Sequence, residues 1–261
     1  MSVLDEIVAT TREEVARRRE QVPEADLARA GAERAMRGDF RPFAAALIRP
    51  GLSVIAEHKR RSPSAGPIRE DVELEDVVGA YERAGAAVLS VLTEGPNFGG
   101  QLADLGRARA ASTLPILRKD FIVDSYQLAE AQAVGADAVL LIVAALQPDE
   151  LERLEGEAIA RGLATLVEVH NAGELQTATE IGAPIIGINN RDLTTLAVDP
   201  ATTFELLPRV PQGTIVVAES GFRDRAELDR LAEAGVDAVL IGEALMRSPD
   251  IEAACRALTA A

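Results

Sequence analysis

Tryptophan is absent from these 261 residues, cysteine occurs once, and aromatic residues make up only 3%. A single cysteine, Cys255, cannot form an intrachain disulfide, and its isolation fits a reducing compartment. No apolar run is long enough to span a bilayer. The N-terminal stretch MSVLDEIVATTREEVARRRE is charged throughout and has no apolar signal-peptide region. No basic stripe and no interleaving of aromatic with basic residues occurs, which argues against nucleic acid as a partner. No His/Asp/Glu/Cys cluster has metal-ligand spacing, so no metal is expected. The motifs GxGxxG, GxxxxGK[ST] and GxSxG are also missing, which disfavours dinucleotide, P-loop and serine-nucleophile chemistry. A soluble, cytoplasmic chain is expected, free of nucleic acid and membrane.

Lysine is the most informative scarcity. Of 27 basic residues only Lys59 and Lys119 are not arginine, and both stand where an apolar run meets a polar loop. Arginine stays protonated, whereas a partly buried lysine can give or take a proton. Acidic residues number 42 and the net charge is −15, so any anion site must be locally positive.

What is present is a repeated alternation. AGAAVLSVL (84–92), VGADAVLLIV (134–143), IGAPIIGIN (181–189) and AGVDAVLIG (234–242) each lead from a glycine that can end a helix into an apolar strand. Between them lie LPIL (114–117), ATLVEV (164–169) and TIVVAES (214–220), and SVIAE (53–57) opens the series. Amphipathic segments over 74–84, 125–134, 148–161, 172–181 and 223–234 separate the strands. Eight such units in about 210 residues predict an α/β fold, a single (β/α)8 TIM barrel, in preference to a doubly wound open sheet. Residues 1–48 form an N-terminal helical extension, including a helix over 3–19, and residues 49–261 form the barrel.

In such a barrel the site lies at the C-terminal strand ends. Glu57, Lys59, Lys119, Glu168, Asn189, Arg191, Glu219 and Ser220 all fall there. A charge such as Glu168 inside an apolar strand needs a partner. Its pairing with Lys59 or Lys119 reads either as a structural ion pair or as an acid–base couple. Ser220-Gly221 and Gly242-Glu243 read either as tight turns or as backbone N–H groups gathered for phosphate. SPSAGP (62–67) reads as a long mobile loop and candidate lid. His58 and His170 read as structural residues, since His58 follows an inward Glu57 by one position and faces the helices.

Taken together, VIAEHKRRSPSAG, SVLTEGPNFGG, PILRKDFIVDSYQ, LVEVHN, GINNRDL, VAESG and LIGEALM occur in the order found in indole-3-glycerol phosphate synthases, and nearly the whole chain resembles that family. The resemblance implies closure of 1-(2-carboxyphenylamino)-1-deoxyribulose 5-phosphate to the indole, with loss of CO2 and water and without a cofactor. It implies Lys119 as general acid, Glu168 as acid–base residue, and Lys59 as phosphate contact with a share in acid duty. Glu57 and Asn189 would orient these groups. Ser62 and Arg191 would hold the anthranilate carboxylate, and Pro63 and Phe121 would complete the substrate-binding set. Ser220, Gly221, Gly242 and Glu243 would cup the phosphate. Glu243 stands where the family often has serine, so only its backbone N–H is expected to contribute. His58 replaces an apolar residue. Partners are limited to the phosphorylated small molecule, with the chain a monomer or weak homo-oligomer. Two other readings remain open: an Amadori isomerase barrel, which would lack the E-x-K…S-P-S opening, and a barrel that only binds a phosphorylated ligand.

Overall fold

Val-, Leu- and Ile-rich runs that are buried on both faces suit parallel strands enclosed by helices. A computed structural model describes residues 3–260. Its strands are β1 (Ser53–His58), β2 (Val88–Leu92), β3 (Ile116–Lys119), β4 (Ala138–Ile142), β5 (Ala164–Val169), β6 (Ile185–Asn189), β7 (Ile215–Glu219) and β8 (Ala238–Ile241). All pair in parallel with their chain neighbours, and β8 pairs with β1 from Ser53↔Ala238 onward. The ring is closed. This is the expected (β/α)8 barrel, and the closure rules out an open doubly wound sheet.

The helices are α1 (Val3–Gln21), α2 (Glu24–Met36), α3 (Phe43–Leu47), α4 (Leu74–Arg83), α5 (Ala103–Ala111), α6 (Ser125–Val134), α7 (Pro148–Ala160), α8 (Ala172–Glu180), α9 (Ala201–Leu206), α10 (Arg225–Ala234), α11 (Glu243–Met246) and α12 (Ile251–Thr259). Gly135 and Gly235 end α6 and α10 with φ of 109° and 94°, a left-handed conformation that glycine adopts without a Cβ penalty. Among the described residues no helix is long and apolar enough to cross a membrane.

Side chains alternate along each strand. Val54, Ala56, Leu89, Val91, Ile186 and Ile188 face the helices, whereas Ile55, Val88, Leu117, Leu140, Leu166, Val217 and Leu240 fill the barrel. Helix α3 closes the N-terminal end, where Phe43 and Leu47 join the interior cluster and Ser53 Oγ donates to Ala46 O at 3.1 Å. Helix α2 lies along α6. Its buried Arg34 pairs with Asp137 at 2.7 Å, donates to Gln132 O, and stacks 4.1 Å from the Phe40 ring centroid. Arg109 holds the other oxygen of Asp137 at 3.0 Å, so neither buried charge is unmatched. Helix α1 reaches the opposite end with Leu4 and Ile7.

Residues 62–67, rich in turn formers, make the turn of a short antiparallel hairpin, pairing Arg61↔Pro67 and Ser62↔Gly66. Gly66 takes φ of 64°, and Ser62 Oγ accepts from Ala65 N at 3.2 Å, so the turn is internally bonded. Arg60 and Arg61 bind it to the loop after β2 and to α5: Arg60 donates to Gly99 O and ion-pairs with Asp104 of α5, and Arg61 donates to Pro96 O.

Candidate active site

The inward parity that fills the barrel with Ile, Leu and Val delivers charge at the C-terminal ends. Glu57 on β1, Lys119 on β3, Glu168 on β5 and Glu219 on β7 stand on alternate strands, as the layers of such barrels do. Lys119 Nζ lies 2.8 Å from Glu168 Oε2 and 3.3 Å from Glu219 Oε2. Lys59 Nζ lies 2.8 Å from Glu57 Oε1, and Ser90 Oγ donates to Glu57 Oε2. Of the two partners open to Glu168, Lys119 is the one that takes it.

Two glycines on the intervening strands make the room. A Cβ at Gly187 on β6 would collide with the Glu219 carboxylate and crowd Leu166, and one at Gly242, just past β8, would collide with Glu57.

Burial and proximity set the protonation states. Burial alone would lower the Lys119 pKa, but the carboxylates of Glu168, Glu219 and Glu57 outweigh it and hold the ammonium above its ordinary range. Burial would raise Glu168, yet Lys119 and then His170 pull it well below the usual carboxylate range. Glu219 goes the other way. Burial dominates, the charge on Glu168 adds to it against the pull of Lys119, and the carboxyl is pushed up to about 8. Its Oε1 is buried and has no protein hydrogen-bond partner. The cluster therefore sets a lysine held charged and a carboxylate held low beside a carboxyl pushed toward its protonated form.

That cavity has a volume of about 420 Å³ and is lined by Glu57, Lys59, Lys119, Phe121, Glu168, Asn189, Arg191, Ser220, Gly221, Gly242 and Glu243. A smaller one of about 80 Å³ shares Lys59, Phe121 and Arg191 with it and adds Ser62 and Pro63. Every residue expected to act on or hold the substrate thus borders one chamber or the other. Asn189 is fixed by accepting from Arg191 N at 3.0 Å, and Arg191 Nη1 donates to Leu196 O. Ser220 has φ of 63°, unusual for a residue with a side chain, and is held there by Asn190 Nδ2 donating to its carbonyl at 2.9 Å. Glu243 gives its carboxylate to Arg247, 2.9 Å away.

The structure adds residues that the sequence reading passed over. Glu219 stands at the mouth by strand position, and its role follows from its contact with Lys119. Phe98 stands with its ring centroid 6.3 Å from that of Phe121, and the two line both chambers. Arg223 and Arg247 bring positive charge to the β7–β8 end. His58 is buried with its pKa pushed down to about 4, first by burial and then by Arg60, as a neutral structural ring requires. His170 is different. It follows Glu168 by two positions, not one, and so shares its face. Its Nε2 lies 3.3 Å from Glu168 Oε1, and its Nδ1 lies 2.9 Å from Glu174 Oε2.

The family model for indole-3-glycerol phosphate synthase matches residues 4–258. Proteins of that name from Rhizorhabdus wittichii and Nocardioides sp. are 48% and 49% identical to this chain, covering 98% and 99% of it and 97% and 98% of their own lengths. One from Rhodopirellula baltica is 44% identical over 100% of both chains. Among solved structures, 3-hexulose-6-phosphate synthase from Salmonella typhimurium superposes with a TM-score of 0.63 at 13% identity, covering 80% of this chain and 97% of that one. Thiamine phosphate pyrophosphorylase from Pyrococcus furiosus gives 0.59 at 21%, covering 79% and 93%. At those identities the likeness is one of fold.

Proposed function

This chain belongs to the indole-3-glycerol phosphate synthase family, and from that premise we propose how its own residues perform the family's reaction, the closure of 1-(2-carboxyphenylamino)-1-deoxyribulose 5-phosphate to indole-3-glycerol phosphate in tryptophan biosynthesis. The single observation that carries the assignment is Lys119 lying between Glu168 and Glu219 at 2.8 and 3.3 Å on the floor of the larger chamber.

The aryl group enters the smaller chamber, where Leu4, Ile7, Phe98, Phe121, Leu193 and Leu196 offer apolar walls. Arg191 and Ser62 take its carboxylate, a planar anion that suits a guanidinium. The phosphate lies at the other end, against the backbone of Ser220, Gly221, Gly242 and Glu243, with Arg223 and Arg247 supplying charge. Lys59 borders both chambers and contacts the phosphate. This local concentration of cations answers the repulsion of a chain with net charge −15.

With both ends fixed, the ring carbon bearing the carboxylate attacks the ketose carbonyl. Lys119 protonates the carbonyl oxygen as the carbon–carbon bond forms. The carboxylate departs as CO2, its bonding pair restoring the aromatic ring. The new hydroxyl then leaves as water with a second proton, while Glu168 removes a proton from the neighbouring carbon. Glu57 and Asn189 orient Lys59 and the substrate hydroxyls. Glu219, pushed toward its protonated form, spares Lys119 a second full negative charge beside that of Glu168.

The protein contains no tryptophan and only two tyrosines, so indole product is seen directly by its fluorescence. A rise on adding the carboxyphenylamino substrate is expected, and a flat trace would sink the assignment.

A further inference from the structure

We propose that His170 stores the extra proton that each turnover consumes and passes it through Glu168 to Lys119 between the two acid steps. The inference rests on the acid–base roles given above. Two protons enter the substrate, one at the carbonyl oxygen and one at the departing hydroxyl. One proton leaves, from the carbon that becomes part of the pyrrole ring. CO2 comes from a carboxylate and supplies none. Each turnover therefore takes up one net proton, and a substrate filling the chamber stands between Lys119 and water.

The geometry provides a store. His170 has an acceptor at each ring nitrogen: Glu174 Oε2 at 2.9 Å from Nδ1 and Glu168 Oε1 at 3.3 Å from Nε2. An ionised carboxylate only accepts, so both nitrogens are matched only in the doubly protonated ring. Three carboxylates face that ring, Glu168 from β5, Glu174 from α8 and, more weakly, Asp192 from the loop after β6. The short helical turn Val143–Ala145 packed beside them carries no charge. Glu174 also accepts from the His170 backbone N–H at 2.8 Å and from Asn171 Nδ2, so it is fixed in place. Nε2 itself is buried, aimed at Glu168, and not yet aligned for a hydrogen bond. Burial opposes the charge on His170, but Glu168 and Glu174 outweigh it and raise its pKa to about 10.

The sequence of transfers balances. Lys119 gives its proton to the carbonyl oxygen and becomes neutral. Glu168 thereby loses its strongest cationic neighbour and gains proton affinity. The Nε2–H bond of His170 breaks and an O–H bond forms at Glu168 Oε1; the carboxyl then turns about its Cγ–Cδ bond so that this same O–H faces Lys119, where it breaks as an N–H bond forms at Nζ, 2.8 Å from the oxygen that occupied that place before. Lys119 is then an acid again for loss of water. Glu168 accepts the carbon-bound proton and returns it to Lys119. The cycle ends with His170 neutral on its Nδ1–H, and it recharges through Glu168 from water in the emptied chamber. His170 never touches substrate and acts as a relay.

The test compares the unaltered protein with His170→Gln and His170→Ala by indole fluorescence across pH, with and without added imidazole. KM within about twofold and kcat down by about 10², the lower end of the range for a lost proton transfer, are expected for both. Imidazole should restore a large part of kcat in His170→Ala, where the ring's space is vacant, and the alkaline limb of the kcat profile should shift in both variants. An unchanged kcat, or a loss that imidazole does not relieve in His170→Ala, would overturn the relay. No product from the unaltered protein would instead overturn the assignment beneath it.

Discussion

Lys119 carries two demands at once, since it neutralises Glu168 and supplies a proton to the substrate. Lys119→Arg keeps the charge and the ion pair but not a readily transferable proton, as guanidinium stays protonated. The expected outcome is a kcat reduced by about 10²–10⁴ with KM little changed, read by the same fluorescence. Retention of substantial rate would show that charge, and not proton transfer, is what the position supplies. Lys59→Ala should mainly raise KM, and a collapsed kcat at unchanged KM would move Lys59 into acid catalysis. The residues themselves were unequally legible in the sequence. Lys59 and Lys119 stand out because arginine fills every other basic position. Glu219 does not, because its cation lies four strands earlier in the chain and only ring closure brings the two within 3.3 Å. The parity that turns His58 toward the helices, one residue after an inward carboxylate, does not apply to His170, which comes two residues after one and lies 3.3 Å from Glu168.

At the level of elements, period-two alternation and glycine-led repeats made the strands and most of the helices legible, with 125–134 recovered residue for residue as α6. The third strand runs over Ile116–Lys119, two residues later than the 114–117 that the pattern predicts. Pro115 has no N–H for the ladder, and the charges at Arg118 and Lys119 disguise a strand end. Arg118 is buried on the helix-facing side only because Asp120 and Glu130 meet it there, a tertiary pairing that no local pattern reveals. The hairpin after β1 was likewise unreadable, since its tether to Asp104 and Gly99 is made by distant residues. Strand-to-strand fit also yields a test. Gly242→Ala places a methyl against the Glu57 carboxylate, and overpacking of this kind costs about 1–3 kcal/mol. A lower melting temperature together with an activity loss larger than that of a surface Gly→Ala change, such as Gly156→Ala, is expected. Equal activity losses would mean that Glu57 has room to move.

For the molecule as a whole, the buried site couples stability to pH. His170, raised from 6.5 to about 10, contributes stability that is complete below pH 6.5 and is lost as the pH climbs through 10. Glu219, raised from 4.5 to about 8, contributes stability that is complete below pH 4.5 and is lost as the pH passes 8. Glu168, held low, contributes in the opposite sense and loses its share on acidification below its ordinary 4.5. Melting temperature should therefore fall on the alkaline side, and Glu219→Gln should flatten the part of that fall around pH 8. A slope unaltered by Glu219→Gln would place the titration elsewhere. The four charged residues of the inner layer come from β1, β3, β5 and β7, so no single βα unit holds a working pair of Lys119 with Glu168. A chain whose β8 has not yet docked on β1 would carry Glu57 and Lys119 on one arc and Glu168 and Glu219 on the other, without a shared floor. Turnover then serves as a clock for the last event of folding: the first indole formed by a refolding sample marks the moment the barrel shuts.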